Sequence, residues 1–440
     1  MKITSLIPVR QNVAVTTVAF ICVFFAASLL QAQQAESSKS ELRAGVAKVD
    51  ITPKKPVKMA GYGGRKGLSQ DVHDPLSARV VIFENNGNKL VLVSADLIGF
   101  YGGTAEHLRK VILEKFELEP SELFLTAIHT HAGPSLTIDK EKGHPNNLAY
   151  TDSLKAKLIE VIREAVNNMS PVQVSTGVGH CPVGANRREL KITTEGESSI
   201  ILGRNPYGPT DKEVLVMKVA KSNGDVIAAM FDYATHATCL GGQNYTISGD
   251  VLGLAEQFVE KILGEGTIAP AFAGASGNID PHFRVLPAFN NEPGWIPEPV
   301  LLGTLLGEEV VHVFRDIKSI RTGREIKTAF TMLELPSKPK GESAAKQDLP
   351  PTPLALTVAR VGKVGFVGIG CEVLTEIGMA IKAASPFEHT FVITHCNGAA
   401  GYLAPEHLHV EGGYEIRSSP FAPPAADILV KQAVKMLHDL

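Results

Sequence analysis

Three pairs of short, β-branched segments dominate this sequence, and a tight turn containing glycine joins the members of each pair. The turns lie at Asn86 and Gly87, at Asn223 and Gly224, and at Gly362. Asn-Gly between two apolar runs is the strongest short-range indication of a β-hairpin. Strand pairs that alternate with helices predict an α/β fold with mixed β-sheets and flanking helices. The segments with apolar residues at helical spacing are 105–116, 154–165, 254–263, 298–317, 374–384 and 425–440.

Local boundaries can be predicted as well. Residues 44–51 alternate in the way typical of an edge strand, and Thr151 and Asp152 are N-cap candidates of the second helix. No repeat of fixed period is present, so we expect one large domain over residues 44–440. Three stretches rich in Gly, Pro and charge are expected to be loops; they are residues 195–212, 290–299 and 336–353.

The N-terminus has the pattern of a secretory signal peptide. Lys2 and Arg10 precede an uncharged apolar run over 13–30, and small and polar residues follow it. This pattern predicts a signal peptide over residues 1–32 and a polar linker over 33–43. The run is also about long enough to span a bilayer, so an uncleaved membrane anchor is the alternative. In either case we expect an exported protein, secreted or periplasmic.

Composition excludes several classes of protein. The 440-residue chain is 44% hydrophobic and 20% charged, which is typical of globular and not of disordered proteins. A formal charge of −3 and the lack of a dense Lys/Arg stripe argue against nucleic acid as a partner. Cys22 belongs to the leader, and Cys181, Cys239, Cys371 and Cys396 form no CxxC pair. These four are either buried thiols or include one disulfide, and their spacing does not decide between the two.

Metal-capable side chains lie just after predicted strands, where α/β folds present their sites. His129 and His131 follow the apolar strand 123–128, and residues i and i+2 of an extended segment project to the same side. His236 and Glu372 each follow another apolar strand. A lone histidine there could simply be a core residue bonded to backbone, but a carboxylate is costly to bury unless it is paired or ligated. Two histidines and one carboxylate are the usual protein ligands of a catalytic zinc ion.

Serine catalysis is the competing interpretation of the glycine-rich segments. Ser276 lies in a tight turn after a further predicted strand. The G-x-S-x-G motif is incomplete, however, because Asn278 stands where its last glycine would be. We therefore favour the metal site.

Taken in order, these segments resemble the catalytic domain of the neutral/alkaline (non-lysosomal) ceramidases over residues 44–419. The stretches that carry the resemblance are Gly-Val-Ala-Lys-Val-Asp-Ile-Thr at 45–52, Met-Ala-Gly-Tyr-Gly at 59–63, Val-Ser-Ala-Asp-Leu at 93–97 and His-Thr-His-Ala-Gly-Pro at 129–134. The resemblance implies the ceramidase fold and a zinc ion bound by His129, His236, Glu372 and Tyr402.

The same resemblance implies roles for residues around the zinc. His131 and Tyr414 would contact the substrate, Arg187 would lie near the head-group pocket, and Asn278 would belong to the substrate-binding turn. As a hypothesis, a zinc-activated water attacks an N-acyl carbonyl. His131 or Tyr414 would then stabilise the developing oxyanion or assist the departure of the leaving amine. Asp280 would orient one of the metal ligands.

Three departures from the family pattern bear on the substrate. Asp280 stands where the family has a serine, and Gly398 and Ala399 replace the Ala-Tyr before the metal tyrosine. We also expect the catalytic domain without the family's C-terminal immunoglobulin-like domain. The expected substrate is a ceramide-like or other N-acyl compound, either a small molecule or a lipid met at a membrane surface. The alternatives are an esterase or lactonase on the same metal site and a non-catalytic homologue that binds a lipid or glycan.

Overall fold

The protein is described by a computed structural model that covers residues 41–282, 297–318, 323–339 and 349–440. Leu42–Leu440 form one compact unit. The predicted signal peptide and nearly all of the predicted linker lie outside the described residues. Within the ranges above, no helix has both the length and the apolar character needed to cross a bilayer.

Strands make up most of the regular structure. In chain order, those described are β1 (Arg43–Asp50), β2 (Asp71–Val72), β3 (Ser77–Asn85), β4 (Asn88–Ala95), β5 (Leu123–Ala127), β6 (Ser170–His180), β7 (Gly184–Asn186), β8 (Arg188–Ile192), β9 (Ser198–Leu202), β10 (Glu213–Lys221), β11 (Val226–Tyr233), β12 (Thr246–Ile247), β13 (Ala271–Ala273), β14 (Ile279–Pro281), β15 (Ile326–Leu335), β16 (Thr352–Val361), β17 (Val364–Ile369), β18 (Glu372–Val373), β19 (His389–Ile393) and β20 (Tyr402–Leu403). The described α-helices are α1 (Thr104–Phe116), α2 (Pro145–Asn167), α3 (Asp250–Leu263), α4 (Pro297–Asp316), α5 (Thr375–Ala384), α6 (Tyr414–Ser418) and α7 (Ala425–Asp439).

Two mixed sheets organise the unit. The larger sheet has the strand order β13-β11-β10-β6-β1-β3-β4-β5, and the smaller has the order β15-β16-β17-β19. The pairs β4–β5, β11–β13 and β17–β19 are parallel, whereas the other neighbours are antiparallel. The predicted α/β fold with mixed sheets and flanking helices is therefore confirmed.

Alternate residues of each sheet face different apolar layers, as the period of two along a strand requires. In β3, Val80 and Ile82 pack with α1 and α2, whereas Val81 and Phe83 pack with Phe366 of the smaller sheet. Helices α3 and α4 cover β10 and β11, and α5 and α7 cover the other face of the smaller sheet. The result is four layers: helices, large sheet, small sheet, helices.

The three predicted hairpins are confirmed as β3–β4, β10–β11 and β16–β17. Asn86 and Gly87 both have positive φ, at 52° and 84°. Two consecutive left-handed residues are what a type I′ turn requires, and Asn-Gly adopts that conformation at little cost. Local turn chemistry therefore decides the β3–β4 pairing.

Two local predictions were wrong. Strand β1 is not an edge strand, because β3 pairs along its whole length and β6 pairs with Arg43 and Ala44 on its other side. Helix α2 begins at Pro145, not near Thr151: the His144 ring accepts a hydrogen bond from the Asn146 amide at 3.2 Å. Proline suits the first helical position because the amide it lacks has no partner there.

The expected loops also contain regular structure. Strand β9 lies within 195–212 and pairs with β8, α4 begins within 290–299, and β16 begins within 336–353. The remainder of 290–299 and residues 340–348 lie outside the described residues. The side chains of Cys181, Cys239, Cys371 and Cys396 are buried, and no disulfide joins any two of them.

One asparagine joins the large sheet to the small one. The Asn397 side-chain oxygen accepts from the Leu125 amide at 2.9 Å, and the Asn397 amide donates to the Leu125 carbonyl at 2.9 Å. Its side-chain nitrogen donates to the Leu123 carbonyl at 2.7 Å and to Thr357 Oγ1 at 2.9 Å. These bonds satisfy backbone groups on the outer side of β5, the last strand of the large sheet.

Candidate metal centre

His129 follows β5 and projects into the interior. Its φ is +62°, a conformation that only a few per cent of residues other than glycine adopt. The ring Nδ1 lies 2.6 Å from the Ile98 carbonyl and donates to it, since a carbonyl only accepts. The proton is therefore on Nδ1, and the Nε2 lone pair is left for a ligand.

His236 follows β11 and has the same arrangement. Its Nδ1 lies 2.8 Å from the Ser276 carbonyl and 3.1 Å from the Ile279 carbonyl, so Nδ1 again carries the proton. The segments after β5 and β11 are joined directly, because the His131 amide donates to the Ala237 carbonyl at 3.0 Å. Both histidines thus present Nε2 towards one point.

Glu372 and Tyr402 come from the side of the small sheet. They are register partners in the short parallel pair β18–β20, which explains how residues thirty positions apart meet. Glu372 Oε2 lies 3.5 Å from His129 Nε2 and 3.6 Å from His236 Nε2. Burial and the nearby Glu372 carboxylate raise the pKa of the Tyr402 hydroxyl well above its usual range. The four predicted ligands therefore lie together in one cluster.

This cluster fits a zinc ion on its own geometry. Glu372 Oε2 is buried and has no hydrogen-bond partner among the described residues. The separations of 3.5 and 3.6 Å exceed hydrogen-bond length. They are close to the roughly 3.4 Å between ligands of a tetrahedral ion with bonds of about 2.1 Å. A buried carboxylate oxygen without a hydrogen-bond partner, at this distance from two imidazole nitrogens, is what a metal site requires.

The charges of the cluster suit a cation. Burial alone would raise the pKa of Glu372, but the facing His129 and His236 rings outweigh it and hold that pKa well below its usual range. Burial lowers the pKa of His236 to about 4, and the Arg187 guanidinium acts in the same direction. At neutral pH the cluster therefore offers a carboxylate and a neutral imidazole, the forms that bind metal.

His131 and Tyr414, the predicted substrate contacts, border the cluster. His131 is half-buried, and its Nε2 lies 3.2 Å from His129 Nε2. Burial and the neighbouring histidines lower the pKa of His131 well below its usual range. The Tyr414 ring lies 5.5 Å from the Tyr402 ring and is 38% exposed, so it can meet a ligand from outside. Their catalytic roles remain predictions.

Arg187, predicted to bind substrate, already has a partner for every N–H group. It donates to Glu415 at 2.8 Å, to Asp280 at 3.1 Å, and to the Gly277 carbonyl at 2.7 Å. The remaining two donors face His236 Nε2 and the Tyr402 hydroxyl, each at 3.3 Å. This geometry makes Arg187 a positioning residue, and direct substrate contact remains a prediction.

Asp280 and Asn278 are also buried. The Asp280 carboxylate accepts from Arg187 at 3.1 Å and from Thr238 Oγ1 at 3.3 Å, so it acts on the centre through Arg187. The Asn278 side-chain nitrogen donates to Glu376 Oε2 at 3.0 Å, and its side-chain oxygen accepts from the Thr375 backbone amide at 2.9 Å. These bonds hold the turn beside His236, and the substrate-binding role of Asn278 remains a prediction.

Two residues of the centre escaped the sequence analysis. The Tyr101 hydroxyl donates to Glu372 Oε1 at 3.0 Å, and the His395 ring stacks on His129 with a centroid distance of 3.8 Å. Each residue lies shortly after the end of a strand, β4 or β19. The strand-end rule that selected His129 would have selected His395, two residues beyond β19, but not Tyr101, which lies six residues beyond β4.

Comparisons with known proteins agree with this architecture. A family model described as neutral/alkaline non-lysosomal ceramidase, N-terminal, matches residues 42–280. Neutral ceramidase B of Dictyostelium discoideum is 25% identical over 271 residues, which are 56% of this chain and 36% of that protein. Neutral ceramidase 1 of Arabidopsis thaliana is 25% identical over 236 residues, 51% of this chain and 29% of that protein.

A solved structure extends the likeness beyond the family match. The crystal structure of neutral ceramidase from Pseudomonas aeruginosa has a TM-score of 0.74 to this chain, with 18% identity. The superposition covers 91% of this chain and 75% of the Pseudomonas aeruginosa chain. At 18% identity, this likeness shows a shared fold and nothing about activity. Glu372, His395 and Tyr402 lie outside the family match. Because that match spans more than half of the sequence, the chain belongs to the neutral/alkaline non-lysosomal ceramidase family.

Proposed function

We propose that this protein is a zinc-dependent hydrolase that cleaves the N-acyl amide bond of a ceramide-like or other N-acyl substrate through a metal-activated water. The observation that carries the proposal is the approach of His129 Nε2, His236 Nε2 and the unpartnered Glu372 Oε2. Tyr402 completes the ligand set. Its hydroxyl is oriented by Arg187, which Asp280 and Glu415 hold in turn.

A zinc ion held by these side chains would lower the pKa of a water towards neutrality and polarise an acyl carbonyl. The protein would supply orientation and proton transfer around it. His131 is uncharged at neutral pH and can accept a proton or pass one to a leaving amine. Tyr414, at the exposed rim, can donate its hydroxyl proton to the developing oxyanion.

The choice of an N-acyl amide rests on the names of the curated relatives, which are neutral ceramidases. The matched segments span only about a third of the length of these relatives. The same centre would also suit an ester or lactone, and replacement of the family serine by Asp280 favours the non-catalytic alternative. Export through the N-terminal leader is part of the proposal, and N-terminal sequencing of the mature protein checks it.

The decisive experiment is turnover of fluorogenic N-acyl amides and esters by the purified protein, with and without a chelator. We expect chelator-sensitive amide cleavage that zinc restores. His129→Ala should lower kcat/KM by about 10²-fold or more, which corresponds to a loss of about 2.7 kcal/mol or more of transition-state stabilisation. His438→Ala, on the exposed end of α7, is the matched control and should match wild type.

Each other outcome has a definite meaning. Cleavage of esters alone would favour the esterase or lactonase, and no chelator-sensitive cleavage of any substrate would favour a binding protein. Full activity and full zinc content in His129→Ala would rule out the ligand assignment itself.

A further inference from the structure

The two oxygens of the Glu372 carboxylate have different surroundings. Oε2 lies 3.5 Å from His129 Nε2 and 3.6 Å from His236 Nε2, and it has no hydrogen-bond partner among the described residues. Oε1 accepts a hydrogen bond from the Tyr101 hydroxyl at 3.0 Å. A carboxylate can bind a metal ion through one oxygen or through both. Here the hydrogen bond from Tyr101 leaves Oε2 as the oxygen that is available to an ion.

Tyr101 is held in place by its backbone and by its ring. Its carbonyl accepts from the Thr104 amide at 3.1 Å and from Thr104 Oγ1 at 2.7 Å, at the beginning of α1. The ring packs against Gly99, where a Cβ would lie 2.7 Å from Tyr101 Cε2 and would push the ring away. The hydroxyl is therefore directed at Glu372. Hydrogen bonds of this kind are how proteins commonly orient the side chains that bind a metal.

The number of Glu372 oxygens bound to zinc decides whether a water can bind as well. The proposed ligands His129, His236, Glu372 and Tyr402 fill four positions if Glu372 binds through one oxygen, and five if it binds through two. Zinc in catalytic sites has four ligands and expands to five at most steps that require it. A water can therefore join the set of four but not the set of five. Activation of a water requires that Glu372 bind through Oε2 alone.

We propose that Tyr101 is a positioning residue that keeps Glu372 Oε1 away from the ion and so preserves the coordination position for water. The inference rests on the proposed function, because it concerns the same zinc site. Tyr101 acts through Glu372 and not on the substrate. A tyrosine that needs only a hydrogen-bond acceptor can use a backbone carbonyl, as buried Tyr150 does with Ile51 at 2.8 Å.

The test is the coordination of Co²⁺, which can replace zinc and whose visible absorption bands weaken as its coordination number rises. Metal-free wild type and Tyr101→Phe, which lacks only the hydroxyl, are each loaded with one equivalent of Co²⁺. We expect weaker bands in the variant, because Oε1 is then free to join Oε2 on the ion. We also expect kcat/KM of the zinc-loaded variant to fall about 10–100-fold, the usual cost of removing a partner of a metal ligand. Tyr150→Phe, which removes a buried hydroxyl bonded to Ile51, should match wild type in both measurements.

The outcomes separate the two proposals. Equal spectra for wild type and Tyr101→Phe would overturn the role of Tyr101 and leave the proposed function standing. Different spectra with equal kcat/KM would overturn the link between Tyr101 and the position for water. A wild type that binds neither Co²⁺ nor Zn²⁺ would overturn the proposed function as well. If Tyr101→Phe does not fold, a crystal structure of zinc-loaded wild type decides. Oε2 alone at about 2.0–2.2 Å from the ion supports the proposal, and both oxygens at that distance overturn it.

Discussion

At the scale of single residues, His131 is held in place by a contact that only glycine allows. Gly61 has a φ of +94°, and a Cβ built on it would lie 2.5 Å from His131 Nδ1 and 2.8 Å from His131 Cβ. A side chain at this position would both strain the backbone and push the ring away. The conformation of this glycine therefore sets where the His131 ring can lie.

Gly61→Ala should lower kcat/KM without loss of bound metal, because it displaces His131 and no proposed zinc ligand. A displacement of about 1 Å in a catalytic group can cost on the order of 10²-fold. Steady-state kinetics and metal analysis measure the two effects. Gly63→Ala is the matched control, since a Cβ there would meet nothing within 4 Å. Equal activity in the two variants would contradict this role for Gly61.

The sequence predicted individual site residues better than it predicted their partners. His129, His236 and Glu372 could be selected because each directly follows an apolar strand. The surroundings of Arg187 could not, because its partners Asp280 and Glu415 lie 93 and 228 residues away. Composition and local pattern carry no information about contacts at that distance. The family resemblance alone placed Arg187 near the head-group pocket, and that role remains a prediction.

At the scale of elements, one carboxylate couples the two sheets. Asp232 of β11 accepts from the Val392 amide of β19 at 3.2 Å and lies 3.8 Å from the Lys382 ammonium of α5. Its other oxygen is buried without a hydrogen-bond partner among the described residues. Burial outweighs Lys382 and raises the pKa of Asp232 to about 7.

This raised pKa predicts a pH-dependent difference between wild type and Asp232→Asn. A carboxyl group whose pKa is higher in the folded than in the unfolded state stabilises the folded protein at pH values below the unfolded pKa. That contribution is lost as the pH rises to the folded pKa. Wild type should therefore lose stability relative to the variant between about pH 4 and pH 7. Thermal unfolding across that range measures the difference, with Asp439→Asn at an exposed position as control. Parallel curves for wild type and Asp232→Asn would contradict the expectation.

Helices and strands could be predicted from the sequence where the interactions that determine them are between nearby residues. The hairpin at Asn86 and Gly87 follows from turn chemistry within four residues. The position of β1 does not, because its neighbour β6 begins at Ser170 and has no strong strand pattern. The beginning of α2 was misplaced because His144 is an uncommon N-cap, whereas Thr151 is a common cap residue that here lies inside the helix.

At the scale of the whole molecule, the candidate metal centre lies where the two sheets meet. His129 and His236 follow strands of the large sheet, whereas Glu372 and Tyr402 follow the strands of the small one. A bound ion would therefore tie the two halves of the molecule together. Without it, the unpartnered Glu372 oxygen and the buried histidines remain as a cost to the folded state.

Removal of metal should therefore lower the thermal stability of the protein. Ligand binding to the folded state alone contributes about 2.7 kcal/mol when free ligand is a hundredfold above its Kd. We expect the unfolding temperature to fall in a chelator and to recover with zinc but not with magnesium, which avoids imidazole ligands. Calorimetry measures the change. An unfolding temperature that is the same with and without zinc would contradict a structural effect of the ion.

The bonds that Asn397 makes to β5 have a consequence for how neighbouring molecules meet. An outermost strand with free amides and carbonyls is a template on which another chain can add its own strand. Here the groups of Leu123 and Leu125 that would serve as that template are already taken. Asn397, which lies between β19 and Tyr402, thus also protects the β5 edge of the large sheet from pairing with a strand of another molecule.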